Sequence, residues 1–132
     1  MYRVRQEDLP FKGSSHQFVG ADNGDVGISV FLLSALPGRG PGPHRHPYDE
    51  VQFVREGRGL YKVNGEEFEA GAGDIFVIKA GEIHEFKCIG DAPLVQVRCP
   101  PESAVHPGEP VTRRMTDLAL TLDAAQRRGV IC

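Results

Sequence analysis

The chain has 132 residues, of which 25% are charged, and its formal net charge is −3. This length favours one domain, over residues 1–132, that buries roughly two-thirds of the unfolded chain's surface. The charge excludes the basic footprint of a nucleic-acid or membrane-surface binder. The charged N-terminus has no apolar run of signal-peptide or membrane-spanning length. We therefore expect a soluble, cytoplasmic protein whose partner is a small molecule.

Short apolar runs separated by turn residues predict an all-β chain. Sixteen glycines and ten prolines are scattered between these runs, as in chains with many turns. In residues 1–25, the predicted N-terminal segment, Tyr2 to Arg5 is a candidate short strand. The apolar run from Val26 to Leu36 is predicted to form a largely buried strand that ends at Pro37 and Gly38. The nearly continuous hydrophobicity of this run suggests that both its faces are covered, and a second copy in a homodimer would supply that cover.

The next segment contains three residues of metal-ligand type within seven positions. His44 and His46 are two apart, so in an extended strand both side chains point to the same face. Pro47 cannot donate to a sheet ladder, which predicts a break and a turn before Glu50 begins a new strand. Two imidazoles and a carboxylate are donors that hold first-row divalent metals, and they leave positions for a fourth ligand and for water or substrate.

Further short strands follow Glu50. A hairpin with a glycine-containing turn at residues 55–59 is predicted to join the first two, and Asn64-Gly65 predicts a type I′ turn after them. The strands are predicted at Val51 to Val54, Leu60 to Val63, Glu66 to Ala70, Ile75 to Ile78, Ile83 to Ile89 and Leu94 to Cys99. Their spacing predicts an antiparallel jelly-roll β-barrel with its core at about residues 26–99.

One face of the strand at residues 83–89 carries a third histidine. The two-residue period places His84, Phe86 and Cys88 together, with Glu85 and Lys87 on the opposite face. If the first face points inward, His84 supplies the missing fourth ligand.

Other residues are candidates to line a pocket beside these ligands. Gln52 shares the face of Glu50, whereas for Gln96 and Arg98 a solvated outer face is the favoured interpretation. Cys88 is expected to be a small buried hydrophobe rather than a nucleophile, and all three cysteines to be free thiols. His16 and His106 lie outside any motif and are not expected to bind metal. The complete set of pocket-lining candidates is Tyr48, Gln52, Phe86, Cys88, Gln96 and Arg98.

Residues 100–132 are expected to form an irregular connector and one short helix. The helix is predicted from Leu122 to Arg128, with Gly129 as its left-handed terminator. It would dock as a lid or at a subunit contact, or belong to an untethered tail. One short helix does not make a helix-turn-helix pair.

At the level of motifs, the chain resembles the small single-domain members of the cupin superfamily. The first cupin motif, G(X)5HXH(X)3–4E(X)6G, is matched in full by Gly38, His44, His46, Glu50 and Gly57. The second, G(X)5PXG(X)2H(X)3N, is matched by Gly73, Gly81 and His84, with Lys79 in place of the family's proline and Cys88 in place of its asparagine. The resemblance covers about residues 26–99.

The resemblance implies a jelly-roll barrel, usually a homodimer, with one divalent metal held by the positions of His44, His46, Glu50 and His84. Manganese, iron, nickel, zinc and copper all suit these ligands. Because one fold hosts many chemistries, three functions stay open. The first is an enzyme with dioxygenase-like or isomerase-like chemistry, in which Glu50 acts as a base if it leaves the metal. The others are a non-catalytic metal-dependent binding module and a purely structural metal site.

Overall fold

The structure, a computed structural model, describes residues 1–101 and the short strand at residues 109–110. Apart from two 3₁₀ turns, Gln6–Asp8 and Gly20–Asp22, the regular structure of this part is all β. In it, no helix is long and apolar enough to cross a membrane. The expected helix from Leu122 to Arg128 lies outside the described residues, as do His106 and Cys132. The strands are β1 Phe11–Lys12, β2 Ser15–Phe18, β3 Val30–Ala35, β4 His44–Arg45, β5 Glu50–Glu56, β6 Arg58–Val63, β7 Glu66–Gly71, β8 Ile75–Ile78, β9 His84–Ile89, β10 Leu94–Cys99 and β11 Glu109–Pro110.

These strands form two antiparallel sheets that face each other as a jelly-roll barrel, as predicted. One sheet has the order β1-β2-β3-β10-β5-β8, and the other has the order β11-β4-β9-β6-β7. Strands adjacent in sequence, such as β4 and β5, often belong to different sheets. Segments far apart along the chain therefore meet at the same end of the barrel.

Two predictions about the first third of the chain are wrong. Tyr2 to Arg5 forms no strand; instead the Tyr2 hydroxyl donates to Asn23 Oδ1 over 2.6 Å, which ties this segment to a loop rather than to a sheet edge. The strand expected from Val26 begins only at Val30. The backbone before it folds into a local loop, in which the Val26 N–H donates to the Gly20 carbonyl, and Val26 stays exposed.

The hairpin predicted at residues 55–59 is also wrong, because β5 and β6 do not pair. The chain passes from one sheet to the other at Gly57, which has a φ of 76°. A Cβ atom there would lie 2.3 Å from the Pro93 carbonyl oxygen, so the crossing needs a residue with no side chain. By contrast, Asn64 and Gly65 form the predicted two-residue turn between β6 and β7, with φ values of 49° and 84°.

The barrel interior has an apolar end and a polar end. Along the inward faces of three strands, the side chains change from polar at one end to apolar at the other. The change runs from Glu50 to Val54 in β5, from His84 to Cys88 in β9 and from Arg98 to Leu94 in β10. The register pairs Arg98 with Gln52, which places the polar parts of β5 and β10 side by side. The apolar end contains Leu33, Ala35, Val54, Tyr61, Ala70, Phe86, Cys88 and Leu94.

Candidate metal centre

The four predicted ligands meet at the polar end of the barrel. His44 on β4 lies directly opposite His84 on β9 in the sheet register. His46 follows β4, and Glu50 is the first residue of β5, across the barrel in the other sheet. All four side chains are buried, and Glu50 is completely inaccessible. The inward face expected for His84, Phe86 and Cys88 is confirmed.

The spacing of the ligand atoms fits a single ion. One candidate ligand atom from each of the three histidines lies within 4.8 Å of the other two. The Nε2 atoms of His46 and His84 are 3.1 Å apart, and His46 Nε2 is 3.9 Å from Glu50 Oε2. Two imidazole nitrogens on one metal, each at about 2.0–2.1 Å, would stand roughly 2.8–3.4 Å apart at octahedral or tetrahedral angles.

Backbone carbonyls fix the tautomer of two of the histidines. The Nδ1 atom of His44 lies 2.8 Å from the Gly42 carbonyl oxygen, and that of His84 lies 2.9 Å from the Glu82 carbonyl oxygen. A carbonyl can only accept, so both Nδ1 atoms carry the hydrogen and both Nε2 atoms present a lone pair. His44 Nε2 is buried without a hydrogen-bond partner. Metal-binding histidines are usually oriented in this way.

Burial keeps these imidazoles neutral, which is the form that binds metal. It lowers the pKa of His44, and it lowers the pKa of His84 to about 4, with the proximity of His44 adding to the effect. Both directions follow from the cost of placing a charge where water is excluded. The two side chains are therefore uncharged at neutral pH.

A chain of buried hydrogen bonds orients Glu50. Gln52 Nε2 donates to Glu50 Oε1 over 2.7 Å, Gln96 Nε2 donates to Gln52 Oε1 over 3.3 Å, and the Tyr61 hydroxyl donates to Gln96 Oε1. Glu50 Oε2, on the side of His46, has no hydrogen-bond partner. Burial raises the pKa of Glu50, whereas the charge of Arg98 and the bond from Gln52 act in the opposite direction. The carboxylate thus has one anchored oxygen and one oxygen available to a cation.

All six pocket-lining candidates are buried, which corrects the interpretation of two of them. Gln96 and Arg98, expected on a solvated outer face, are 0% and 3% exposed, while Val95 and Val97 face outward and are half-buried. Valines normally face a core, which favours the opposite orientation of this strand. Here this end of the interior is polar, and it takes the amide and the guanidinium.

Two of the remaining predictions concern residues away from the ligands. His16 lies beside Gln6 and the Phe11 ring, apart from the three clustered histidines. The Cys88 thiol is buried and donates to the Ala92 carbonyl over 3.1 Å, in keeping with a packing role. Cys88 is a free thiol, as predicted.

The contact between the two ligand-bearing loops was not predicted from the sequence. Asp49 Oδ1 accepts a hydrogen bond from the Ala80 N–H over 2.9 Å, and the His46 carbonyl accepts one from the Gly81 N–H over 2.8 Å. These bonds attach the β8–β9 turn, which precedes His84, to the loop that carries His46. The adjacency of Asp49 to Glu50 in the motif is the one sequence signal that pointed to it.

A cavity of about 440 Å³ lies where the polar and apolar parts of the interior meet. Phe86, two residues beyond His84 on the same face, forms part of its wall, as does Arg98. The Arg98 guanidinium carbon lies 5.9 Å from the centre of the Phe31 ring.

The fold and the interior together define a jelly-roll barrel with a buried histidine-rich centre. Residues 31–97 match the cupin domain family. The chain belongs to the cupin family.

Relatives with known sequences or structures agree with this placement. An uncharacterized protein of Methanocaldococcus jannaschii is 36% identical over 63 residues, which are 46% of this chain and 50% of that protein. The chain thus matches about half the length of this curated relative. A cupin protein from Bacteroides fragilis has 19% identity and a TM-score of 0.62, over 86% of this chain and 95% of that one. A mutant of Bacillus subtilis oxalate decarboxylase has 19% identity and a TM-score of 0.70, over 91% of this chain and 36% of that one. Both structures share the fold.

Proposed function

We propose that His44, His46, His84 and Glu50 bind one divalent metal ion, and that a small organic molecule binds or reacts at this ion. The observation that carries the proposal is the convergence of three buried imidazoles, with 3.1 Å between the Nε2 atoms of His46 and His84. The unpartnered oxygen of Glu50 lies on the same side. Nitrogen and carboxylate donors in this number suit manganese, iron, nickel, zinc or copper.

The energetic cost of this cluster supports a bound cation. A buried polar atom without a partner costs about 1–3 kcal/mol, and both His44 Nε2 and Glu50 Oε2 are such atoms. A barrel that needed only stability would fill these positions with apolar side chains. A metal ion would satisfy both atoms at once.

The ligand number favours a site that also takes a small molecule over a purely structural one. Three histidines and one carboxylate leave open positions on an ion that prefers six ligands. When bound, the metal would act as a Lewis acid that polarises a coordinated oxygen. This chain's own part is to keep the imidazoles neutral by burial, to orient them through the carbonyls of Gly42 and Glu82, and to orient Glu50 through Gln52. An enzyme and a binding module share this arrangement, and turnover in a substrate screen with and without oxygen separates them.

Elemental analysis of protein purified without a histidine tag tests the metal. We expect about one equivalent of divalent metal per chain, and its loss from the double variant H46A/H84A. His16→Ala is the matched control, because His16 lies outside the cluster, and it should keep its metal. Stoichiometric metal in the double variant would end the proposal.

We also propose that the protein is a homodimer, which the exposed apolar side chains of the six-stranded sheet support. In the run from Val26 to Leu36, which was expected to be covered on both faces, Ile28 is 49% exposed and Leu36 is 64% exposed. On the edge strand β8, Ile75 is 63% exposed and Val77 is 55% exposed. Sedimentation at micromolar concentration should give twice the mass of the chain. A mass near 14.4 kDa that does not change with concentration would refute a dimer.

A further inference from the structure

Arg98 carries a buried charge that the described residues leave unpaired. Its side chain is 3% exposed, and its Nε atom has no hydrogen-bond partner. No carboxylate in residues 1–101 forms an ion pair with it. A guanidinium stays charged at every physiological pH, and burying it without a direct ion pair is unfavourable; the charge of Glu50 acts on it only from beyond ion-pair distance. Such a group is poised to take an anionic partner.

The cavity beside Arg98 has the electrostatic character that an anion needs. Among the described residues, its wall includes three cationic side chains, Lys12, Arg39 and Arg98, and no aspartate or glutamate. This bias stands out because the whole chain has a net charge of −3. A concave site lined by one sign of charge concentrates ligands of the opposite sign.

The remainder of the cavity is apolar and matches the body of a small organic molecule. Leu33, Ala35, Pro41 and Phe86 form part of its wall, and its volume of about 440 Å³ is in the range of small-ligand sites. Apolar walls with one or a few placed polar groups are the usual design of such a site.

We propose that Arg98 binds the carboxylate of a small organic acid whose apolar part occupies this cavity. The planar guanidinium presents a fork of N–H donors that matches a carboxylate. The inference rests on the proposed function in that the same molecule would reach the metal, but the Arg98 contact itself requires only the cavity. With a metal bound, the negative charge of Glu50 and the positive charge of Arg98 would offset each other. The charge of the ion would then add to the attraction for an acid.

Benzoate and benzamide are the probes, because they share size and shape and differ in charge. Titration calorimetry should show that benzoate binds at least tenfold more tightly than benzamide. Equal affinities would overturn the inference. Phenyl phosphate is the third probe, and tighter binding of phenyl phosphate than of benzoate would overturn the assignment to a carboxylate.

Variants then locate the contact. Arg98→Met should abolish the preference for benzoate, and Arg98→Lys should keep part of it. Arg55→Met is the matched control, since Arg55 also stacks on a phenylalanine, Phe53 at 5.7 Å, but on the exposed surface; it should leave the preference unchanged. Arg98 also acts through its charge on the buried Glu50, so the melting temperature of each variant is measured beside its affinities. A fall in melting temperature in Arg98→Met with the preference for benzoate unchanged would indicate a structural residue and overturn the inference.

Metal content measured on the same samples separates the two proposals. Metal-loaded protein with no preference for benzoate would refute the role of Arg98 and leave the metal proposal standing. Protein that holds no metal but prefers benzoate through Arg98 would refute the metal proposal alone.

Discussion

Lys79 and Asp49 form an ion pair that joins the two loops carrying the candidate ligands. The Lys79 Nζ atom lies 2.6 Å from Asp49 Oδ2, while Asp49 Oδ1 accepts from the Ala80 N–H. The hydrogen bond from Lys79, followed by that from Ala80, lowers the pKa of Asp49. Lys79 stands where the second cupin motif has proline, so in this chain an ion pair and a backbone bond hold the turn that a proline would stiffen.

Asp49→Ala is predicted to weaken metal binding more than Lys79→Ala does. The first change removes both the ion pair and the bond to Ala80, whereas the second removes only the partly exposed ion pair, worth about 0–1 kcal/mol. Metal affinity measured by competition with a chelator should fall several-fold in Asp49→Ala. Glu69→Ala, which breaks the exposed pair with Arg58, is the control and should change nothing. A larger loss in Lys79→Ala than in Asp49→Ala would contradict this account.

Gln52→Leu is predicted to lower metal affinity while leaving the fold intact. The change removes the donor that orients Glu50, and the loss of such an outer partner typically costs about 10–100-fold in metal affinity. Gln17→Leu is the matched control, because Gln17 is equally buried but bonds to Ser15. Chelator competition on both variants provides the measurement. Equal affinities in the two variants would show that the bond to Glu50 has no role in holding the metal.

The metal-free protein is predicted to lose stability as the pH falls from about 6.5 to 4. The pKa of His84 is about 4 when folded, against 6.5 as its ordinary value, so in this window the unfolded chain takes up a proton that the folded chain refuses. The loss attributable to His84 reaches about 3 kcal/mol, and His44 acts in the same direction.

Glu50 has the opposite effect on that pH dependence. Its pKa is raised by burial, so above its ordinary value of 4.5 the unfolded chain ionises more readily and stability falls as the pH rises. Urea unfolding should therefore be measured in Glu50→Gln, where this contribution is absent. Adding His84→Gln to this variant should flatten the slope of the free energy of unfolding against pH between pH 4 and 6.5. An unchanged slope would mean that His84 is protonated as easily when folded as when unfolded.

Gly57→Ala is predicted to destabilise the barrel by several times more than Gly65→Ala. Both positions have positive φ, which costs about 1 kcal/mol for an alanine. A Cβ at Gly57 would also meet the Pro93 carbonyl oxygen at 2.3 Å, whereas nothing lies within 4 Å of a Cβ at Gly65. Urea unfolding of the two variants measures the difference. Equal losses would show that the chain at the sheet crossing can relax.

The sequence by itself determined the features that depend on local spacing. Alternation along a strand was enough to place Gln52 and Val54 on the face of Glu50, and Asn64-Gly65 identified its turn because few residues tolerate positive φ. The motif spacing similarly identified His44, His46, Glu50 and His84 as a set. The family follows from these same positions.

Only the tertiary structure decided which face of each strand points inward and which strands pair. The alternation of Gln96 and Arg98 with valines fits either direction, and the polar interior at that end of the barrel, set by β5 and β9, reversed the expected one. The passage at Gly57 resembles a hairpin locally, but β5 and β6 separate because each pairs with strands distant in sequence. The ion pair of Asp49 and Lys79 joins residues 30 positions apart, and the bonds from Tyr61 to Gln96 and from Gln96 to Gln52 join residues 35 and 44 positions apart. Such contacts arise from strand pairing and sheet packing, which no local pattern encodes.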